Sequence, residues 1–335
     1  MERDISPELT AAEVGLLWSH YLGNSLTKCV LKVFLAKAAD REIEPVLRCG
    51  YEVALRIDAS VAALLSGDGY ALPRGFGDED VDCGAPRLFA DADCLYYVKR
   101  VVRLALPETV AGLTSATRAD VREFFSLAVR MGEDLDNRAT YTLLSKGLYV
   151  RPPCLPAATV TRLAGEGFMG SAFGRNRPLL ALETAHIFAN MTDNVLGSLV
   201  AAGFSQVARA KELRSYFLRG TDIADKHVKV LADLLAASGL KAPMTWNALP
   251  TRSQTPPFSD RLMLALALSA TAMGLGNYGL AMAGSMRADL TPLYARLMAE
   301  MGAYLADGTA LMIGNGWLEE PPGAPDRAAL ALAGR

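Results

Sequence analysis

Apolar residues recur along this chain in steps of three and four. Between residues 43 and 64 they fall at Ile43, Leu47, Gly50, Ala54, Ile57, Val61 and Leu64. That spacing lines one face of a bundle helix. The same rhythm returns at Leu213, Phe217, Gly220, Ala224, His227, Leu231 and Leu234. No segment shows convincing strand alternation. Start and stop signals frame the periodic segments. Thr10-Ala11-Ala12-Glu13 reads as a capping box. Gly67-Asp68-Gly69 ends one segment, and Gly147 followed by Arg151-Pro152-Pro153 ends another. The pattern predicts helices over about Thr10–Leu35, Glu42–Leu65, Phe89–Ser115 and Ala119–Ser145, then over about 178–203, 209–237, 259–284 and 288–314.

The second set of four repeats the first. Residues 183–243 align under 13–73 without a gap, at an offset of 170. The pairs include Glu13/Glu183, Asn24/Asn194, Gly50/Gly220 and Pro73/Pro243. One residue is then lost and the offset becomes 169. It pairs Phe89/Phe258, Arg118-Ala119-Asp120/Arg287-Ala288-Asp289 and Pro152-Pro153/Pro321-Pro322. A period this long is no solenoid unit. It predicts an all-α chain of two tandem four-helix bundles, ferritin-like, from an internal duplication. The expected limits are 1–150 for the first bundle, 151–177 for a linker, and 178–335 for the second bundle with a C-terminal tail. About twenty residues separate second and third helices in each copy. That is enough to run the length of a bundle, the long crossover of ferritin-like folds, although a simple up-down connection is not excluded by length.

Gly274-Leu275-Gly276-Asn277-Tyr278-Gly279 matches G-x-G-x-x-G. A dinucleotide turn needs a preceding strand. Helix formers precede this one, and the repeat partner of Gly276 is Pro107, mid-helix. A bend or a close helix contact is therefore expected there. Leu262–Met286 is free of charge and long enough to span a bilayer. Its repeat partner carries Lys99, Arg100 and Arg103, so a mostly buried helix is expected, covered by the sister bundle or by a second chain.

Composition narrows the function. Net charge is −2 with no basic tract, which argues against nucleic acid. Five irregularly spaced cysteines, Cys29, Cys49, Cys83, Cys94 and Cys154, give neither a disulfide framework nor a zinc knuckle. Free thiols and a charged N-terminus without an apolar core point to the cytoplasm and to no membrane partner. Asp78-Glu79-Asp80-Val81-Asp82 lacks the full calcium-loop pattern and reads as a solvated loop.

Three histidines carry what chemistry there is. His20, beside Trp18 and Tyr21, reads as a surface or interface residue. Glu183-Thr184-Ala185-His186 is E-x-x-H, which puts carboxylate and imidazole on one helix face. His227 lies in the apolar seam of the next helix. Counted from a turn near Ser205-Gln206, it comes within about 3 Å of the height of His186. Glu183, His186 and His227 are thus candidate ligands for one divalent metal, Fe, Mn or Zn. With a long crossover Asp289 is the best further carboxylate; without it, Asp307 is. The competing reading is a hydrogen-bonded His227 and a His186 on a polar face. No catalytic or organic-cofactor residues are indicated.

LTAAEVGLLWSHYLGNS, LLSKGLYVRPP, GFSQVARAKELRSYFLRG, PMTW, GNYGLAMAGSMRADL, YARLMAEM and IGNGWLEEPPGAPDR cover nearly all of the chain. As a set they resemble a family of tandem ferritin-like bundle proteins from spore-forming Gram-positive bacteria, some of whose members carry a spore-coat label. The resemblance implies the fold and an association with the forespore or spore coat; it brings no activity to particular residues. The leading expectation is a non-enzymatic, spore- or stress-associated bundle protein whose partners are copies of itself or other spore proteins. The alternative is a mononuclear metalloprotein or oxidoreductase with a two-histidine, one-carboxylate site in the second bundle.

Overall fold

A computed structural model describes residues 7–171, 176–241, 249–327 and 331. Among the described residues there are eight long helices: α1 (Ala11–Lys37), α2 (Glu44–Gly67), α3 (Asp91–Ser115), α4 (Ala119–Ser145), α5 (Ala181–Val207), α6 (Lys211–Ala237), α7 (Asp260–Ala283) and α8 (Leu290–Gly314). Among the described residues the β pairing is a single isolated bridge, Val81 to Phe258. Tandem helical bundles are therefore what the chain forms. The string PMTW lies outside the described residues.

Each bundle is two antiparallel hairpins packed face to face. The start of α1 meets the α3–α4 turn, where Glu13 accepts from Thr117 N and Arg118 N at 2.8 and 2.9 Å. The end of α1 meets the start of α3, where Asp91 accepts from Ala39 N and Asp40 N. Hence α2 and α3 run the same way, and the segment between them must travel the length of the bundle. It does so along α1. Phe76 N donates to Ser25 Oγ, Lys32 pairs with Asp78, and Arg87 donates to Lys37 O. This resolves the connection in favour of the long crossover.

The repeat preserves the turns as well as the helices. Glu183 accepts from Met286 N and Arg287 N as Glu13 does from its partners. Asp260 accepts from Arg209 N and Ala210 N as Asp91 does from its own. Arg118 and Arg287 each pair with the aspartate two residues on, Asp120 and Asp289. Each carboxylate satisfies N–H groups at the start of another element, where they lack intrahelical partners and carry partial positive charge.

The bundles join reciprocally: α1 touches α7 and α3 touches α5, as a two-fold relation between the repeats requires. Two repeat pairs of phenylalanine meet at the seam. Ring centroids lie 6.3 Å apart for Phe34–Phe89, 6.3 Å for Phe89–Phe204 and 6.1 Å for Phe204–Phe258. Gly203 is required here, since a Cβ would fall 2.8 Å from the Phe89 ring. The Asp78–Asp82 loop, expected to be solvated, belongs partly to this seam. Asp80 is 3% exposed and bonds Ser259 Oγ and Arg261 Nη2, both at 2.6 Å. Its ion pair offsets the cost of burying the carboxylate.

Two other expectations change. GLGNYG lies inside α7, with Gly276 exposed and its Cβ direction open, and Pro107 is likewise exposed inside α3. The matched positions face outward, so they mark no close helix contact. The α7 helix is buried through its first turns, at Arg261, Leu262, Met263, Leu264 and Leu266. Farther on, Ala272, Gly276, Leu280 and Ala283 are exposed. By length and composition alone α7 could cross a membrane.

Candidate functional site

The seam of α6 carries Leu213, Phe217, Ala224, His227, Leu231 and Leu235 into the second bundle. Its periodicity buries His227 completely. A buried imidazole needs partners for both nitrogens, and both are present. Nδ1 lies 3.0 Å from Tyr278 Oη on α7, and Nε2 lies 3.1 Å from Glu300 Oε2 on α8. The carboxylate can only accept, so Nε2–H donates to Glu300 and Nδ1 accepts from the Tyr278 hydroxyl. Tyr278 Oη in turn accepts from Asn194 Nδ2 at 2.9 Å. At the other end, Lys226 Nζ donates to both oxygens of Glu300. A directed chain thus runs Asn194, Tyr278, His227, Glu300, with Lys226 closing it at the surface.

The electrostatics keep the imidazole neutral. Burial pushes the pKa of His227 down, against the opposing pull of Glu300. Burial raises the phenol of Tyr278. Lys226, ahead of His227, holds Glu300 below the usual carboxylate range.

Glu183, His186 and His227 do not converge. Glu183 is fully buried and accepts from both terminal guanidinium nitrogens of Arg177, at 2.8 and 2.9 Å. It also accepts from Leu180 N, Met286 N and Arg287 N. Burial alone would raise its pKa; Arg177 and these backbone donors win and bring it down to about 2. His186 is half-buried against the end of α7, where a Cβ on Gly284 would come within 2.9 Å of its Nε2. His227 meets α7 at residue 278, six residues earlier, or about 9 Å along the axis. The height estimate from the sequence is therefore too small. It took the hairpin turn at Ser205-Gln206, whereas α5 runs on to Val207. Asp289 is bonded to Arg287, and Asp307 pairs with Arg219. Among the described residues no three histidine, cysteine or carboxylate side chains cluster to hold a metal ion.

Sequence reasoning missed Tyr278 and Glu300 as partners of His227, and Asn194 as the donor to Tyr278. It also misplaced His20, which is 6% exposed. Its Nδ1 lies 2.8 Å from Leu16 O and its Nε2 lies 3.1 Å from Thr109 Oγ1. A signal was available, because the repeat pairs Thr109 with Tyr278 and Ile57 with His227.

Each polar interior borders a cavity, and the cavities obey the duplication. In the second bundle Asn190, Asn194, Gly220, Thr271, Tyr278 and Tyr304 line one of about 90 Å³. Their repeat equivalents His20, Asn24, Gly50, Val102, Thr109 and Leu135 line one of about 70 Å³ in the first. Tyr97 borders both.

No curated protein matches this chain. A crystal structure from Bacillus halodurans C-125, described as a "putative spore coat protein", is similar at 18% identity, covering 45% of this chain and 98% of its own, with a TM-score of 0.41. A family model matches twice, over residues 5–159 and 167–330. The chain therefore belongs to the family described as "Protein of unknown function (DUF3231)" and carries two copies of its unit.

Proposed function

We propose that this protein is a non-enzymatic, spore- or stress-associated bundle protein that works by associating with copies of itself. The observation that carries this reading is the outer face of α7. Ala272, Gly276, Leu280 and Ala283 lie exposed at steps of four and three, within the charge-free stretch Leu262–Met286. Leu280 is 62% exposed, and a Cβ on Gly276 would meet nothing of its own chain. Small residues let a second helix approach closely, and the same stripe on another copy is self-complementary under two-fold symmetry. The saturated partners of Glu183 and His227 leave these groups without free acid, base or ligand capacity, which supports a non-catalytic role. The spore or stress setting rests on the sequence resemblance.

Sedimentation equilibrium of untagged protein tests this. The wild type is expected to be dimeric at micromolar concentration. Leu280→Lys is expected to be monomeric with unchanged helix content. A wild type that stays monomeric, or that pellets with membranes through a carbonate wash, overturns the proposal. One equivalent of iron, manganese or zinc that disappears in His227→Ile would replace it with the metalloprotein reading.

A further inference from the structure

The two-fold relation between the bundles makes the α3/α5 face the counterpart of the α1/α7 face, yet the two differ in charge. On α3, Lys99, Arg100 and Arg103 stand where α7 has Leu268, Ser269 and Ala272. On α5, Asp193 stands where α1 has Gly23. At these four positions the α3/α5 face is charged where the α1/α7 face is not. The charged cluster borders a cleft of about 260 Å³ between the bundles, roofed by the segment after α4.

The charges in this cleft do not balance. Lys99 is satisfied on the α4 side by Asp136 and Thr140, at 2.6 to 2.7 Å. Arg100 and Arg103 share one carboxylate, Asp193, which also accepts from Asn277 Nδ2 at 3.1 Å. The Arg100 side chain is only 14% exposed, its Nε is 3.5 Å from Asp193, and that buried nitrogen makes no hydrogen bond. A buried guanidinium with an unused donor is costly unless an acceptor reaches it. One positive charge thus remains uncompensated at the floor. The walls are of the opposite character: Tyr96, Tyr149, Val150, Pro152, Phe188 and Leu196.

We propose that this cleft binds a small organic anion, a carboxylate on an apolar, ring-sized body. The carboxylate bonds Arg100 and Arg103, and the body lies against Phe188, Tyr96 and Tyr149. The volume suits the size. A cavity of about 150 Å³ holds a benzene ring, so 260 Å³ admits roughly ten non-hydrogen atoms. Phenylacetate is a probe of that size and charge. The proposal is independent of self-association, because the cleft lies on the α3/α5 face and the stripe on α7.

Calorimetric titration and thermal-shift measurements on the full chain test it with four probes. Phenylacetate should bind at one site per chain and raise the Tm. Phenylacetamide, which keeps the shape without the charge, should bind at least ten-fold more weakly. Phenethylammonium and acetate should give no shift. Arg103→Gln should weaken phenylacetate at least ten-fold. Asp193→Asn, which removes the competing carboxylate, should tighten it several-fold, and its unliganded Tm reports whether the fold survives. Equal binding of acid and amide, no binding of phenylacetate at millimolar concentration, or affinity unchanged in both folded variants would overturn the proposal.

Discussion

In the first bundle the middle of the interior holds His20 bonded to Leu16 O and Thr109, with Ile57 facing them from α2. In the second, Asn190 replaces His20, Tyr278 replaces Thr109 and His227 replaces Ile57. The imidazole has changed helix, and a phenol and a carboxylate have joined it. The turns did the opposite: Glu13 and Glu183, Asp91 and Asp260, and Arg118 and Arg287 keep their residue types, the carboxylates keep their backbone N–H partners at the turns, and each arginine keeps the aspartate two residues on. Orphan N–H groups at a helix start leave few alternatives to a carboxylate. An interior polar network can be rebuilt on other helices provided every member finds a partner. Conserved capping thus fixes where the helices go, and the level between the caps is free to differ.

The largest effect should come from the caps. Glu183→Gln breaks a buried pair with Arg177 and should cost about 3–5 kcal/mol. Glu13→Gln, whose partners are Thr10, Thr117 and Arg118 backbone groups, should cost about 2–3 kcal/mol. Urea unfolding of the two variants measures the difference, and equal losses would show that Arg177 adds nothing. The pH dependence follows in sign. Glu13 and Glu183 are both brought from 4.5 down to about 2. Despite the opposing effect of burial, backbone donors prevail at Glu13, as Arg177 and backbone donors do at Glu183. Each therefore contributes about 3 kcal/mol that is present above pH 4.5 and lost as pH falls through 2. Either substitution should flatten that acid limb.

The interior network should give the next effect. His227→Ile, its repeat partner, takes the acceptor from the buried Tyr278 hydroxyl and should cost about 1–3 kcal/mol. Adding Tyr278→Phe should recover part of this, since no hydroxyl is then left unpaired. Burial lowers the pKa of both His227 and His186 below 6.5. A base that is neutral in the fold gives its full contribution above pH 6.5, and stability declines as pH falls below it. His227→Ile should remove part of this decline. A profile identical to wild type would mean that His227 does not titrate with unfolding.

What the sequence made legible follows the same division. The capping box at Thr10 and Glu13 and the gapless offset of 170 over residues 13–73 can be read along the chain, and the helices and the duplication came from them; the length of the segment between second and third helices left the long crossover and the up-down connection both open. The candidate site depended on which face of one helix meets which face of another. Glu183 looked like a ligand because E-x-x-H is local, whereas Arg177, which occupies it, lies in the irregular segment before α5. Tyr278 was hidden inside a glycine pattern, and Glu300 sits on α8 far along the chain. Asp80 looked solvated because its partner, Arg261, is 181 residues away. Comparison of the repeats does carry such information, since a polar residue opposite an apolar partner marks the level where the interiors diverge.

The smallest contrast lies at the paired glycines of α2 and α6. A Cβ on Gly220 would fall 2.4 Å from Tyr304 Oη, and one on Gly50 would fall 3.1 Å from Leu31 Cδ1 and 3.6 Å from Leu135 Cδ2. Leu135 and Tyr304 are repeat partners, so the same glycine faces a leucine in one bundle and a tyrosine in the other. Replacing glycine by alanine inside a helix gains about 1 kcal/mol of propensity, and overpacking costs about 1–3 kcal/mol. Tyr304 is stacked on Tyr216, with ring centroids 4.2 Å apart, so its ring cannot swing aside without losing that contact. Gly220→Ala should therefore be destabilising by about 1–2 kcal/mol. At Gly50 the obstacle is a methyl group on a leucine that can change rotamer, and Gly50→Ala should lie within about 0.5 kcal/mol of neutral. Adding Tyr304→Leu, the first bundle's residue, should remove the penalty at position 220. If it persists in that background, the glycine answers to something other than the tyrosine.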